Sequence, residues 1–358
     1  ANRVNVLLGP GLNLKRSPLC GRSFEYFSED PYLSGKMAAA YVRGIQENGI
    51  AACPKHFAVN SQELRRMASN SVLDERTLRE LYLTAFEIVV KEAHPKSIMS
   101  AYNKVNDTYA NENHHLLVDI LRREWGFDGA VVTDWGGSND HVEDVKNGST
   151  LEMPSPGLGG ARKLLKAVAE GSLTEQEIDL RVDELLELVL STTAAMEKAP
   201  RKFDEKAHHE LARRAAAESI VLLKNEGGIL PLKHGKKVAL IGDFALTPRY
   251  QGAGSSMVNP TRVDSLKDAM EAAELDMVGY CAGYERSGKP NKAYLDEAVS
   301  QAKMADVVIL CIGLDESSES EGLDRTHIGI PAAQKQLLDA VTAVNPNVVA
   351  VVSAGSVI

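Results

Sequence analysis

Two rhythms of apolar and polar positions sort this chain into elements. Short uncharged runs recur at Val4–Leu8, Ile50–Cys53, Ser97–Ala101 and Ala130–Thr133, and each reads as a buried strand. Between them the spacing turns helical. Asp74 to Glu92 puts Leu78, Leu81, Tyr82, Ala85, Phe86 and Val89 on one face. Asn113 is placed to cap a helix through Leu116, Leu117, Ile120 and Leu121 that stops near Gly126. Thr174 with Glu177 is a capping-box pattern, which predicts a helix reaching about Thr192. Strands alternating with helices imply a parallel sheet, and half or more of a (β/α) barrel fits.

The pattern weakens from Ser191 to about Asp204. Ser191-Thr192-Thr193-Ala194-Ala195 and Pro200-Arg201-Lys202 read as linker, followed by a helix over His208–Ser219. A second series then begins. Its strands are Val238–Ile241, Leu275–Tyr280, Val307–Ile312 and Val348–Val352, and its helices lie near Ser265–Ala273, Lys292–Lys303 and Pro331–Val344. This predicts a doubly wound α/β domain. The expected division is a barrel domain over 1–192, a linker region over 193–215 and a second α/β domain over 216–358.

Composition narrows the possibilities. A length of 358 residues exceeds one typical domain. A net charge of −9 argues against a phosphate-binding surface, so nucleic acid is not an expected partner. No apolar stretch has the length of a membrane span, so no membrane partner is expected either. Cys20, Cys53, Cys281 and Cys311 are far apart and lack zinc spacing, which predicts free, mostly buried thiols and slightly favours a reducing, cytoplasmic setting over secretion. The chain opens and closes in strand-like runs, the pattern of an internal fragment of a longer protein.

Candidate chemistry collects after the strands of the first domain. The run Gly126-Phe127-Asp128-Gly129 leads into the strand that ends on Asp134-Trp135, and Asp134 is either a catalytic carboxylate or a helix N-cap. Asn13 to Arg22 follows the first strand, Lys55-His56 with Arg65-Arg66 the second, and Tyr102-Asn103 the third. Each cluster alone could be an ordinary loop or solvated face. Together, on one sheet edge, they offer a carboxylate, fixed donors (Arg22, Lys55, His56, Arg66) and the Trp135 indole, which suits a sugar ring. Glycoside hydrolysis needs a second carboxyl group. No other acidic residue of the first domain is so placed, whereas Glu316 to Arg325 follows a strand of the second domain. That acidic loop is otherwise read as solvated.

These stretches resemble glycoside hydrolase family 3, in particular its β-glucosidases. The resemblance rests on Gly9-Pro10-Gly11-Leu12-Asn13 through Pro31, Lys55-His56-Phe57, Met99-Ser100-Ala101-Tyr102-Asn103, Val132-Thr133-Asp134-Trp135, Gln251-Gly252-Ala253-Gly254-Ser255 and Glu321-Gly322-Leu323-Asp324-Arg325. It implies an α/β fold: a partial TIM-like (β/α) barrel followed by a partial α/β sandwich. The segment carrying the family's further sugar-binding Asp and the end of the sandwich are missing, so the chain alone is expected to be inactive. Residue by residue, the resemblance makes Asp134 the nucleophile, kept ionised by nearby Arg and Lys, and Glu321 the acid/base, with Glu319 the weaker candidate. Arg22, Lys55, His56 and Arg66 would hold ring hydroxyls, Met99, Tyr102 and Trp135 would shape the pocket, and Ser255 would approach from the second domain. The implied activity is exo-acting, retaining release of terminal β-D-glucose from a β-glucoside or oligosaccharide, without metal or cofactor. It is compatible with a homo-oligomer. The competing readings are β-xylosidase, a non-catalytic carbohydrate-binding relic and a nucleotide-binding protein; for the last, Gly252-Ala253-Gly254-Ser255-Ser256-Met257 is not in a strand–helix fingerprint position.

Overall fold

The computed structural model describes residues 4–198, 202–273 and 275–358. The chain divides into two compact units. The first holds the residues up to Lys202 together with Gly322–Asp324, and the second holds Phe203–Glu321 and Arg325–Ile358.

The first unit is built on short parallel pairings. Val6–Leu7 pairs with Ala51–Ala52, and Ser97–Met99 pairs with Ala130–Val132. Isolated bridges extend the ladder at Gly11–Lys55, Phe57–Ser100 and Val132–Leu151. Backbone hydrogen bonds link the middle pair, with Phe57 N donating to Met99 O at 2.7 Å and Ala101 N to Phe57 O at 2.7 Å. The segments starting at 6, 51, 97 and 130 therefore lie side by side in chain order, and all run the same way. Each regular strand is shorter than its apolar run, because polar residues take over the pairing at the carboxyl ends.

Helices cover this sheet. Asp30 caps the Pro31–Gln46 helix, accepting from Tyr32 N at 2.8 Å and Leu33 N at 3.2 Å. Its small-residue face, Gly35, Ala38, Ala39 and Val42, is buried. A Cβ at Gly35 would meet Ile88 Cδ1 at 2.7 Å, so glycine permits the close approach of the Thr84–Ala93 helix. Phe57, Phe86, Leu116, Leu117, Ile120 and Val131 fill the core between helices and sheet. Each such side chain contributes about 1.5–3 kcal/mol by leaving water.

The region predicted as one helix over 74–92 is capped by Asp74, winds as a π-helix over Leu78–Leu83 and continues as the α-helix over Thr84–Ala93. Asn113 Oδ1 accepts from Leu116 N at 3.1 Å, as a cap should, and the His115–Glu124 helix is also π-wound. The Thr174–Glu177 capping box forms: Thr174 N donates to Glu177 Oε2 at 2.8 Å and Glu177 N to Thr174 Oγ1 at 3.2 Å.

One boundary needs correction. The helix opened by that box runs over Glu175–Lys198, so Ser191 to Ala195 is helix and not linker. Thr192 is wholly buried and donates back to Leu188 O at 2.7 Å, while Asn5 Nδ2 donates to it at 3.0 Å. Ala195 sits where a Cβ on Gly49 would come within 2.6 Å. Small and hydroxylated residues here make a packing seam, which mimics a loop in sequence. Pro200 and Arg201 of the predicted linker, and Ala1 to Arg3, lie outside the described residues. A further helix spans Glu205–Ser219, capped by Asp204.

The second unit has one four-stranded parallel sheet. Its spatial order is Val348–Ser353, Val307–Gly313, Val238–Ile241, Met277–Cys281. The strands Val238–Ile241 and Val307–Gly313 are buried at every position. Helices Leu266–Ala272, Lys292–Met304 and Ala332–Val344 accompany the sheet. All four cysteines are buried and free, and burial pushes each thiol up to about 12. No described helix is long and apolar enough to cross a membrane.

Candidate active site

The ladder brings the predicted donors of the first unit together around Asp134. This residue follows the Ala130–Val132 strand and is 6% exposed. Its Oδ1 accepts the Trp135 amide at 2.8 Å, and its Oδ2 lies 3.4 Å from His56 Nε2. Asp134 is thus no cap: the next helix, His141–Lys146, is capped by Asp140.

His56 is placed by its own backbone. Asn13 Nδ2 donates to His56 O at 2.9 Å, and His56 N donates to Asn13 Oδ1 at 2.7 Å. This reciprocal pair joins the ends of the first two strand segments. The ring is buried, and its pKa is held well below the usual histidine value, first by loss of water and then by Arg22, Lys55 and Arg66. The imidazole is therefore neutral. Its Nδ1 is 3.2 Å from the Tyr26 hydroxyl, whose proton burial holds firmly in place. With Tyr26 donating to Nδ1, the ring hydrogen sits on Nε2 and faces Asp134.

Two carboxylates that the sequence reading passed over organise the cations. Glu25 lies 2.7 Å from Arg22 and 3.0 Å from Lys55, all three side chains being nearly buried. Glu63 pairs with Arg66 at 2.7 Å and accepts the Gly322 amide at 2.8 Å. Burial raises the Glu63 pKa against the pull of Arg22 and that amide. Both acids are therefore committed to cations. The available signal for Glu25 was its setting between aromatic residues, Phe24-Glu25-Tyr26-Phe27, an unusual place for a solvated acid.

Burial also acts on Asp134 itself. Its pKa is raised by desolvation, and the Trp135 amide, Arg22, the Tyr102 hydroxyl and Lys55 only partly offset this. Arg22 and Lys55 favour the ionised form, as their charges dictate, while burial opposes them. Tyr102 and Met99 are buried, and the Arg66 guanidinium stacks over the Tyr102 ring at 4.6 Å. Trp135 is 43% exposed, its indole available as a platform. Arg65 is exposed.

In the second unit the acidic loop separates its two candidate acids. Glu319 is fully buried, accepts Gly355 N at 2.9 Å and Ser356 Oγ at 2.8 Å, and lies 3.6 Å from Arg249. Asp315 is also buried and accepts the amides of Ser317 and Ser318. The loop is therefore not a solvated one. Glu321 instead lies along a strand-like bridge between Ala253 and Ser320, and its Oε2 accepts the Ser255 amide at 2.6 Å. Gly254, at φ +123°, makes room for it, since a Cβ there would meet Glu321 Cβ at 2.4 Å. Ser255 thus meets Glu321 through its backbone.

Parallel strands of one unit ending in buried carboxylates and fixed donors, with a glutamate on a glycine-lined loop of an α/β second unit, are the features of a glycoside hydrolase fold. The chain belongs to glycosyl hydrolase family 3: residues 1–188 match the family's N-terminal domain and residues 220–358 its C-terminal domain. It is 47% identical to thermostable beta-glucosidase B of Acetivibrio thermocellus, over 99% of this chain and 47% of that protein. It is 45% identical to an exo-alpha-(1->6)-L-arabinopyranosidase of Bifidobacterium longum, over 99% of this chain and 48% of that one. Among solved structures it is similar to a Bifidobacterium adolescentis family 3 beta-glucosidase, with TM-score 0.94 and 44% identity, covering 99% of this chain and 52% of that one. Beta-glucosidase 3B of Thermotoga neapolitana in complex with glucose gives TM-score 0.88 at 33% identity, covering 99% and 54%. The fold is the family's two-domain one, barrel-like followed by an α/β sandwich. The chain spans about half the length of the curated relatives it matches.

Proposed function

We propose that this chain carries the catalytic machinery of an exo-acting, retaining β-glycosidase that releases terminal β-D-glucose from β-glucosides. Asp134 attacks the anomeric carbon and forms the glycosyl-enzyme, while Glu321 gives its proton to the departing glycosidic oxygen. Water then attacks the same carbon, Glu321 takes a proton from it, and the Asp134–sugar bond breaks to release the sugar with its configuration retained. This mechanism calls for two carboxyl groups about 5–5.5 Å apart.

The observation that carries the reading is the setting of Asp134: a buried carboxylate with Oδ1 pinned by an amide and Oδ2 turned toward a neutral imidazole. Arg22, Lys55, His56 and Arg66 are the ring-hydroxyl donors, with Met99, Tyr102 and Trp135 shaping the pocket and Ser255 holding Glu321. Glu319 is spent on its own loop, which favours Glu321 as the acid/base.

The test is peptide mapping by mass spectrometry after treatment with a 2-deoxy-2-fluoro-β-glucosyl inhibitor. An adduct on the Asp134 peptide is expected. No adduct, from this chain or from the complete protein, overturns the assignment. Comparing 4-nitrophenyl β-glucoside with the β-xyloside and α-L-arabinopyranoside fixes the sugar. The last matters because one relative is named as an arabinopyranosidase, and both pentoses lack the hydroxymethyl group of glucose.

A further inference from the structure

The mechanism uses neither Asp324 nor Glu63, yet their contacts are unusually dense. Asp324 Oδ1 accepts Gly21 N at 2.9 Å and Glu63 N at 3.0 Å; its Oδ2 accepts Glu63 N at 3.0 Å and Leu64 N at 2.9 Å. Three amides from two loops thus converge on one carboxylate, the charge-assisted kind of hydrogen bond. Gly21 precedes Arg22, and Leu64 lies two residues before Arg66, so the two loops bearing sugar donors share this anchor. Glu63 closes the arrangement from the other side: it holds Gly322 N at 2.8 Å and Arg66 at 2.7 Å. Gly322 and Asp324 are one and three residues beyond Glu321 in the chain.

We propose that Asp324 is a positioning residue for the reaction: its carboxylate fastens the segment that follows Glu321 to the backbone beside Arg22 and Arg66. The inference rests on the assignment of Glu321 as the acid/base. Asp324 does not touch the reacting atoms. It fixes the segment that continues directly from the proton donor. A misplacement on the order of 1 Å can cost about 10²-fold in rate.

The experiment measures kcat/KM in the complete protein for a series of aryl β-glucosides whose leaving groups range from 2,4-dinitrophenolate, which departs without protonation, to unsubstituted phenolate. Asp324→Asn, which keeps size but removes the charge and one acceptor, is expected to lose on the order of 10²-fold on the poor leaving groups and far less on the good one. Asp324→Glu, which retains charge but shifts it by a methylene, is expected to show the same trend at smaller amplitude, and covers the case where the first variant does not fold. Glu321→Gln is the reference. If Glu321→Gln shows the leaving-group dependence and the Asp324 variants lose activity evenly across the series, the positioning role is overturned. If Glu321→Gln shows no such dependence, the acid/base assignment itself fails.

Discussion

In the first unit, Arg22, Lys55, His56, Glu63 and Asp134 lie buried together beyond strands of two or three residues. In the second, the strands Val238–Ile241 and Val307–Gly313 run apolar and buried for four and seven residues, and Glu319 is a buried acid with partners on both oxygens. Both units remove charge from water, at a cost of several kcal/mol per ion unless partners replace the hydration. Glu319 is answered by groups that hold a loop. Asp134 is answered incompletely, so its pKa rises. The contrast separates a buried acid paired on both oxygens from one whose Oδ2 is left without a hydrogen-bond partner.

The sharpest way to break that contrast is to exchange the two glutamates' fates. Glu319→Ala leaves Arg249, the Gly355 amide and the Ser356 hydroxyl without their acid. It is expected to destabilise the second unit by about 3–5 kcal/mol, read as an earlier transition in urea. Glu321→Ala takes the acceptor away from the Ser255 amide and is expected to cost less stability than Glu319→Ala, on the order of 1–2 kcal/mol, while hydrolysis of unactivated glucosides falls roughly 10²–10⁴-fold. Equal stability losses would erase the distinction.

A second test uses Asp144, buried in the first unit beside Ser138 and pushed up to about 7 by desolvation, with Glu112 and Glu152 adding to the effect. Since its folded pKa exceeds the unfolded value of 3.8, the native state holds more protons between those values. Stability therefore falls as pH rises through that window. Asp144→Asn is expected to flatten this part of the stability–pH curve and to stabilise the protein by about 1–3 kcal/mol at pH 8. An unchanged curve in chemical denaturation would show that Asp144 is already ionised at little cost.

The smallest effect concerns the seam near Thr192. Thr192→Val keeps the shape but loses the Asn5 contact and the bond to Leu188 O. A loss of about 1 kcal/mol in thermal unfolding is expected; none would make the seam purely steric.

Periodicity made the strands and helices legible, because apolar spacing is the same physics as burial. The Thr174–Glu177 box could be read because both partners are local. Residues 193–198 were misread because threonine and alanine look loop-like until Asn5, almost the whole first unit away in sequence, fills the hydroxyls' needs. Glu25, Glu63 and Asp324 stayed hidden for a related reason. An acid reads as solvated until the fold delivers its partners, and theirs are amides and cations from distant loops. Asp134 was legible because a charge ending an uncharged strand is anomalous in one dimension already.

The Gly322–Asp324 tripeptide has a consequence for anyone cutting the gene. A fragment stopping at the connection near residue 202 would encode every strand of the first unit and still omit one of its residues that matters, Asp324. The amides of Gly21, Glu63 and Leu64 would then face solvent or one another in place of their carboxylate. The first unit is continuous in space but not along the reading frame, so its boundary cannot be drawn as a single cut.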